Sequence, residues 1–453
     1  MVWNNPCSRK PDWTAQSAIV YRLEMNATDI YNRLRANGDI FVAVSLSTCL
    51  VWRYGGLGIM AAYLGLLILT SRFKFIWTTI KGYDRQFVRS FHGEYFNLAI
   101  LFALLVLFIS LYHHDGISSI ETPAKCVLLG YVVMNIGRYR WETLIYGLAA
   151  GAIIAAAYAA LELTVLLHVR PGGATNPIRF GMIALAFGCV CAVGSLYARD
   201  RLMTVISLAG FLAGIAAAFM SGSRGALLAL PFILLLLAPI LWGRSRRAFV
   251  TISVFLTVFA SLLLAGNVGR MATRITTGYT NLSQMIAGGV ADHSVGDRTR
   301  LLLLSYRLFL DEPLLGVGVK AWNAAVAELV TAPDPGDRLA LAYNQAHNQY
   351  ADDLAKGGIV RFLLGFLVLF LPLYLFLKCE PFSGQKGSEF ALAGVVTSVA
   401  FMIFCLSESM MILSLPATVY TVLIFYFLSA LDAERSDETA VAAAPTPALS
   451  QTA

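Results

Sequence analysis

The sequence predicts an all-α polytopic membrane protein, and three observations carry that fold class. Hydrophobic residues make up 58% of the 453 residues and charged residues only 13%, about half the charged share of an ordinary soluble chain. Mean hydropathy is +0.68. The apolar stretches are long and continuous rather than alternating, which suits membrane-spanning helices and not a transmembrane β-barrel. So few charges cannot cover a soluble enzyme, a disordered scaffold, a coiled coil or a secreted disulfide module.

A span needs about 20 apolar residues, and the elements follow in order on that rule. Residues 1–37 form a cytoplasmic N-terminal segment; the first apolar run starts only near Ile40, so no cleavable signal peptide is expected. Residues 38–266 hold transmembrane helices one to nine, at 38–53, 55–71, 93–112, 120–137, 141–167, 177–197, 201–221, 225–242 and 247–266. The first two are short and joined tightly through Trp52-Arg53-Tyr54-Gly55-Gly56, so a re-entrant pair is the alternative there. A long loop, 267–357, lies on the outer face. Helices ten to twelve fill 358–432, at 358–377, 389–407 and 414–431. The tail, 433–453, is polar and rich in Ala, Pro, Thr and Ser, and is expected to be disordered.

Basic residues test the count. With the N-terminus inside, Lys and Arg crowd into residues 1–38, the loop at 72–92 and the later loops of the same parity. The short loops of the other face hold only Arg53, Lys125, Arg170, Arg179 and Arg224. This positive-inside bias puts both termini in the cytoplasm. The net charge of +7 then reflects topology and anionic membrane lipid, not nucleic acid. Seven cysteines, mostly in apolar runs, show neither zinc-like spacing nor a disulfide framework.

Chemistry belongs in the long loop, because loops of this length are commonly functional. It opens with NVGRMATRITTGY, where Arg270 and Arg274 share one face of an expected helix. The Gly-rich AGGVADHSVGD reads as a hinge. DRTRLLLLSYRLFLDEPLLGVG then forms a helix stopped by Pro313, KAWNAAVAELV a second, and NQAHNQYADDLAKGG a third that ends at Gly357-Gly358. The whole reads as a small amphipathic subdomain on a membrane bundle. His347 suits a general base by its ordinary pKa near 6.5, against an even chance of a packed or exposed histidine. Its i+4 residue is Ala351, so an orienting carboxylate must come from elsewhere; Asp352 and Asp353 are expected to face solvent. Arg224, in the small irregular setting Ser-Gly-Ser-Arg-Gly, reads either as a snorkelling helix-end charge or as an anion ligand. Arg298 reads as a solvated helix-start charge or as a second such ligand. By parity all three lie on one face. Two arginines and an imidazole there suggest an anionic substrate, such as a diphosphate, plus proton removal.

At these residues the sequence resembles the O-antigen ligase/O-antigen polymerase superfamily of bacterial envelope glycosyltransferases. The resemblance rests on SRGALLALP around Arg224, on Arg298 followed by Pro313 and Gly316-Val-Gly318, and on His347-Asn348 followed by Gly358. NPIRFG at 176–181 resembles the ligase branch. Arg361 stands where family ligases usually carry Gly, Thr or Tyr. The resemblance implies a C-type membrane glycosyltransferase fold in the bacterial inner membrane, with a periplasmic active site. It implies transfer of O-antigen polysaccharide from undecaprenyl diphosphate to lipid A–core oligosaccharide, inverting, with no metal and no cofactor. His347, Arg298 and Arg224 are the expected catalytic residues. Arg270, Arg274 and Arg300 are expected at phosphates, Asn348 and Gln349 at sugars. An O-antigen polymerase or a protein O-oligosaccharyltransferase is the alternative within the superfamily, and a lipid-linked glycan transporter the alternative outside it.

Overall fold

The computed structural model describes residues 29–52, 55–71, 88–116, 118–244, 293–331 and 344–443. The expected ninth span at 247–266, Arg270 and Arg274 lie outside the described residues. Within them the chain is helical and has no strand. In chain order the helices are α1 (Gly38–Thr48), α2 (Gly55–Ser71), α3 (Phe91–Tyr112), α4 (Ser118–Met134), α5 (Trp141–Thr164), α6 (Pro177–Leu196) and α7 (Arg201–Met220). They continue as α8 (Arg224–Arg244), α9 (His293–Asp311), α10 (Gly318–Thr331), α11 (Gln349–Leu377), α12 (Ser388–Phe404) and α13 (Ser414–Ala443). Seven of them, α3, α5, α6, α7, α8, α11 and α13, are long and apolar enough to cross a membrane. This is the architecture of a multi-pass membrane protein.

Helix starts follow local chemistry. Asn176 accepts hydrogen bonds from the Ile178 and Arg179 amides, and Pro177 takes the first helical position of α6, where its missing N–H costs nothing. Asp200 caps α7 through Met203 N, and Ser90 caps α3 through Gly93 N. Inside the bundle, small residues let backbones approach closely, the usual basis of helix association in lipid. A Cβ on Gly214 of α7 would lie 2.5 Å from the Ala184 carbonyl of α6. α6 is the central helix, with every residue from Phe180 to Gly194 buried.

Two polar layers close the bundle. At one end, fully buried Asp39 at the start of α1 takes a bidentate pair of bonds from Arg140 at the start of α5, 2.6 and 2.8 Å. At the same end Asp432 of α13 accepts from the Phe91 and His92 amides at the start of α3. The opposite end gathers the connectors at 113–116, 165–176, 221–223, 344–348 and 405–413.

A small helical subdomain sits on that second end. Leu301 of α9, Trp322 and Val326 of α10, Ala346 and Ala355 form its own small core. Asp115, after α3, accepts from the Val319 and Lys320 amides at the start of α10. The Pro313–Gly318 turn runs beside α11, with Ile359 N donating to Pro313 O at 2.8 Å and Val317 N to Ala355 O at 2.9 Å. α11 breaks there at Gly358 (φ 64, ψ −165), a conformation essentially confined to glycine.

Three expectations need correction. α13 continues to Ala443, so 433–443 is helix rather than disordered tail; Ala, Glu and Arg in AERSDETAVAA are adequate helix formers and extend a helix already nucleated in the bundle. α9 starts at His293, inside the stretch expected to be a hinge. Asp352 and Asp353 are not solvated but are 0% and 2% exposed, because α11 packs against both α9 and the bundle and leaves no free face before the kink.

Candidate active site

His347 occupies the last turn before α11, between the subdomain core and the bundle. Its backbone is left-handed, φ 51. That region costs an L-residue about 1–2 kcal/mol, although His tolerates it better than most. Asn348 ends the turn as the N-cap of α11, accepting from Ala351 N at 3.0 Å and donating to Leu406 O at 3.0 Å. The ring of His347 is nearly buried, and its Nδ1 lies 2.8 Å from Oε2 of Glu408. Glu408 sits in the connector between α12 and α13 and is fully buried.

Three donors converge on that carboxylate. His347 Nδ1 reaches Oε2, while Gln345 Nε2 at 2.6 Å and Arg179 Nε at 3.3 Å reach Oε1. Burial pushes the Glu408 carboxyl up, but the bonds and charges of His347, Gln345 and Arg179 outweigh it and hold the group below its ordinary range. Glu408 is therefore an acceptor, and His347 Nδ1 must be the donor. The 3.4 Å approach of Gln345 Nε2 to the same nitrogen is then a contact, not a second bond, since a protonated Nδ1 has no lone pair to offer. In the neutral ring this bond fixes the tautomer with the lone pair on Nε2, the arrangement a general base needs.

One arginine, Arg179, contacts this dyad directly. Arg179 is in the first turn of α6, where the helix dipole disfavours a cation; Glu408 compensates it. Arg224 opens α8 and is exposed. Its turn is fixed from three sides. Arg170 donates to Ser221 O at 3.1 Å and Gly222 O at 3.3 Å, and Ser223 Oγ donates to Ile178 O at 3.2 Å. A Cβ on Gly225 would meet Ser407 Oγ, next to Glu408. Arg298 and Arg300 lie half-buried in α9; Arg298 is one turn before Leu301, which shares the subdomain core with Ala346, the neighbour of His347. Thus His347, Arg224 and Arg298 are at one end of the bundle. Arg224 opens α8, where the backbone dipole adds to its charge and makes this end attractive to anions; Arg298 is not the expected helix-start charge but lies in the second turn of α9, which begins at His293. Among the described residues no three His, Cys, Asp or Glu side chains gather as a metal-binding group.

Gln349, expected at sugars, is 2% exposed. Its amide donates to Asp353 at 3.0 Å and accepts from Met411 N at 2.8 Å. Both Gln349 and Asn348 tie the His347 turn to the Glu408 connector, Gln349 from a buried position and Asn348 from a half-buried one. The sequence reading did not single out Glu408 or Arg179 as site residues. Glu408 had no local signal, but Arg179 had one: an arginine just after an Asn-Pro helix start is an unfavourable charge that asks for a partner.

Residues 208–370 match the family model described as O-antigen ligase. This segment is similar to the O-antigen ligase family. It runs from α7 into α11 and carries Arg224, Arg298 and His347, whereas Arg179 and Glu408 join it from outside. An uncharacterized protein of Haemophilus influenzae is similar along much of the chain, 20% identical over 332 residues, covering 72% of this chain and 81% of the relative.

Proposed function

We propose that the protein is an O-antigen ligase of the bacterial inner membrane, transferring O-antigen polysaccharide from undecaprenyl diphosphate to lipid A–core oligosaccharide. The observation that carries this reading is the His347–Glu408 dyad, whose histidine belongs to the segment that matches the O-antigen ligase model and whose carboxylate Arg179 contacts. Nε2 of His347 takes the proton from the acceptor sugar hydroxyl. The oxygen attacks the anomeric carbon of the donor, the new glycosidic bond forms with inversion, and the bond to the diphosphate oxygen breaks with its electron pair. Arg298 and Arg224 stabilise the charge that grows on the leaving undecaprenyl diphosphate, the term that generally contributes most in such reactions. A diphosphate leaves readily, so no general acid is required. Glu408 stabilises the imidazolium while the proton resides on it, and Arg179 keeps Glu408 ionised. The positive-inside pattern puts this end of the bundle at the periplasm and both termini in the cytoplasm.

The lipopolysaccharide of a deletion strain tests the reading. A ligase deletion removes every rung of the O-antigen ladder and accumulates lipid-linked polymer. A single-repeat band identifies a polymerase instead, and an unchanged ladder identifies neither.

A further inference from the structure

Behind the His347 turn lies a set of buried charges that the proton transfer itself does not use. Lys356 is 3% exposed and Asp352 0%. They pair at 2.8 Å, one helical turn apart on α11. Each also holds the backbone just before His347. Lys356 Nζ donates to Asn344 O at 2.7 Å, and Asp352 Oδ1 accepts from Ala346 N at 3.0 Å. The ammonium lies 5.2 Å from the centroid of the Trp322 ring, which is fully buried in the subdomain core. A second pair, Asp353 with Arg361 at 2.9 Å, extends through Gln349 to Met411, on the Glu408 connector.

A buried ion pair is a weak way to gain stability, since desolvation largely offsets the attraction. Its geometry here has a different consequence. The left-handed turn at His347 has no glycine to favour it, and the two segments carrying the dyad are distant in sequence. The clamp grips residues 344 and 346 from a rigid helix, and the second pair secures the other segment. We propose that Asp352 and Lys356 form a buried clamp that sets the backbone of His347, making Lys356 a positioning residue for the proton transfer. This rests on the reading of His347 as the base.

Two variants separate positioning from stability. Lys356→Met keeps the stem packed on Trp322 but leaves Asp352 unpaired, so both melting temperature and turnover fall. Asp352→Asn/Lys356→Met removes both charges while the Asn oxygen can still accept from Ala346, so the melting temperature recovers. Turnover of undecaprenyl diphosphate-linked glycan stays up to about a hundred-fold below wild type, with the donor KM unchanged. Turnover that returns with the melting temperature overturns the clamp. Should the double variant not fold, amide exchange in the wild-type protein decides: the clamp requires Ala346 N–H to be protected as strongly as the α11 amides, and exchange at the rate of an exposed loop contradicts it. His347→Ala is the reference. If that variant turns over normally, the assignment of the base fails; if it is inactive while the Lys356 variants are normal, only the clamp fails.

Discussion

A histidine serves as a base when one ring nitrogen is held and the other carries the lone pair, and Glu408 supplies the first condition for His347 at 2.8 Å. Replacing Glu408 by Gln keeps the shape and removes the charge. Removing the charge of a carboxylate that orients a general-base histidine costs up to about 10⁴-fold by favouring the wrong tautomer, so the variant is expected to lose most of its turnover while remaining folded. The carboxyl of Glu408 is held below its ordinary range, so the sign of the pH effect follows. The stability it contributes is complete above the ordinary carboxylate pKa and is lost as pH falls through the lowered one. Thermal unfolding of wild type and Glu408→Gln across the acid range checks this: their melting temperatures should differ at neutral pH and converge toward strong acid. Arg298→Lys replaces a planar fork by a point charge; it should reduce turnover, and wild-type turnover speaks against bidentate phosphate binding. The candidate base and two arginines were legible because polar residues stand out against an apolar chain. Glu408 was not, because it lies 61 residues from His347 and only the folding of α11 against α12 brings them together.

Helical elements were legible almost throughout, since long apolar runs with Asn, Asp or Ser at their starts admit little else. The stop at Gly357-Gly358 was legible too, but its purpose was not. Gly358 lets the backbone of α11 pass against the Pro313–Gly318 turn; a Cβ there would lie 2.3 Å from the Leu314 carbonyl. Two motifs read separately in the sequence are one joint in the structure. Gly358→Ala therefore combines a clash with a backbone region closed to alanine, at a cost of order 1–3 kcal/mol. A clear drop in melting temperature is the expected result. The burial of Asp352 and Asp353 escaped the sequence because helical spacing gives a residue's direction but not what packs against that face.

Across the whole molecule, the charge layers at the two ends define a polarity that can be measured. Val169, 93% exposed, lies at the dyad end, and Phe382, 50% exposed, at the other. In intact cells made permeable at the outer membrane alone, an impermeant thiol reagent should label Val169→Cys above the unsubstituted protein, and Phe382→Cys only after the inner membrane is opened. The reverse pattern contradicts a periplasmic site. The sequence predicted this polarity from Lys and Arg alone, whereas no local pattern reveals that loops from five different connectors meet at one end. The most direct test of the function is the transfer reaction itself. Protein reconstituted in vesicles with undecaprenyl diphosphate-linked O-antigen and lipid A–core should form the ligated product, and a folded His347→Ala variant should lose at least about 100-fold in rate; a folded variant that transfers glycan at the wild-type rate removes His347 from the chemistry.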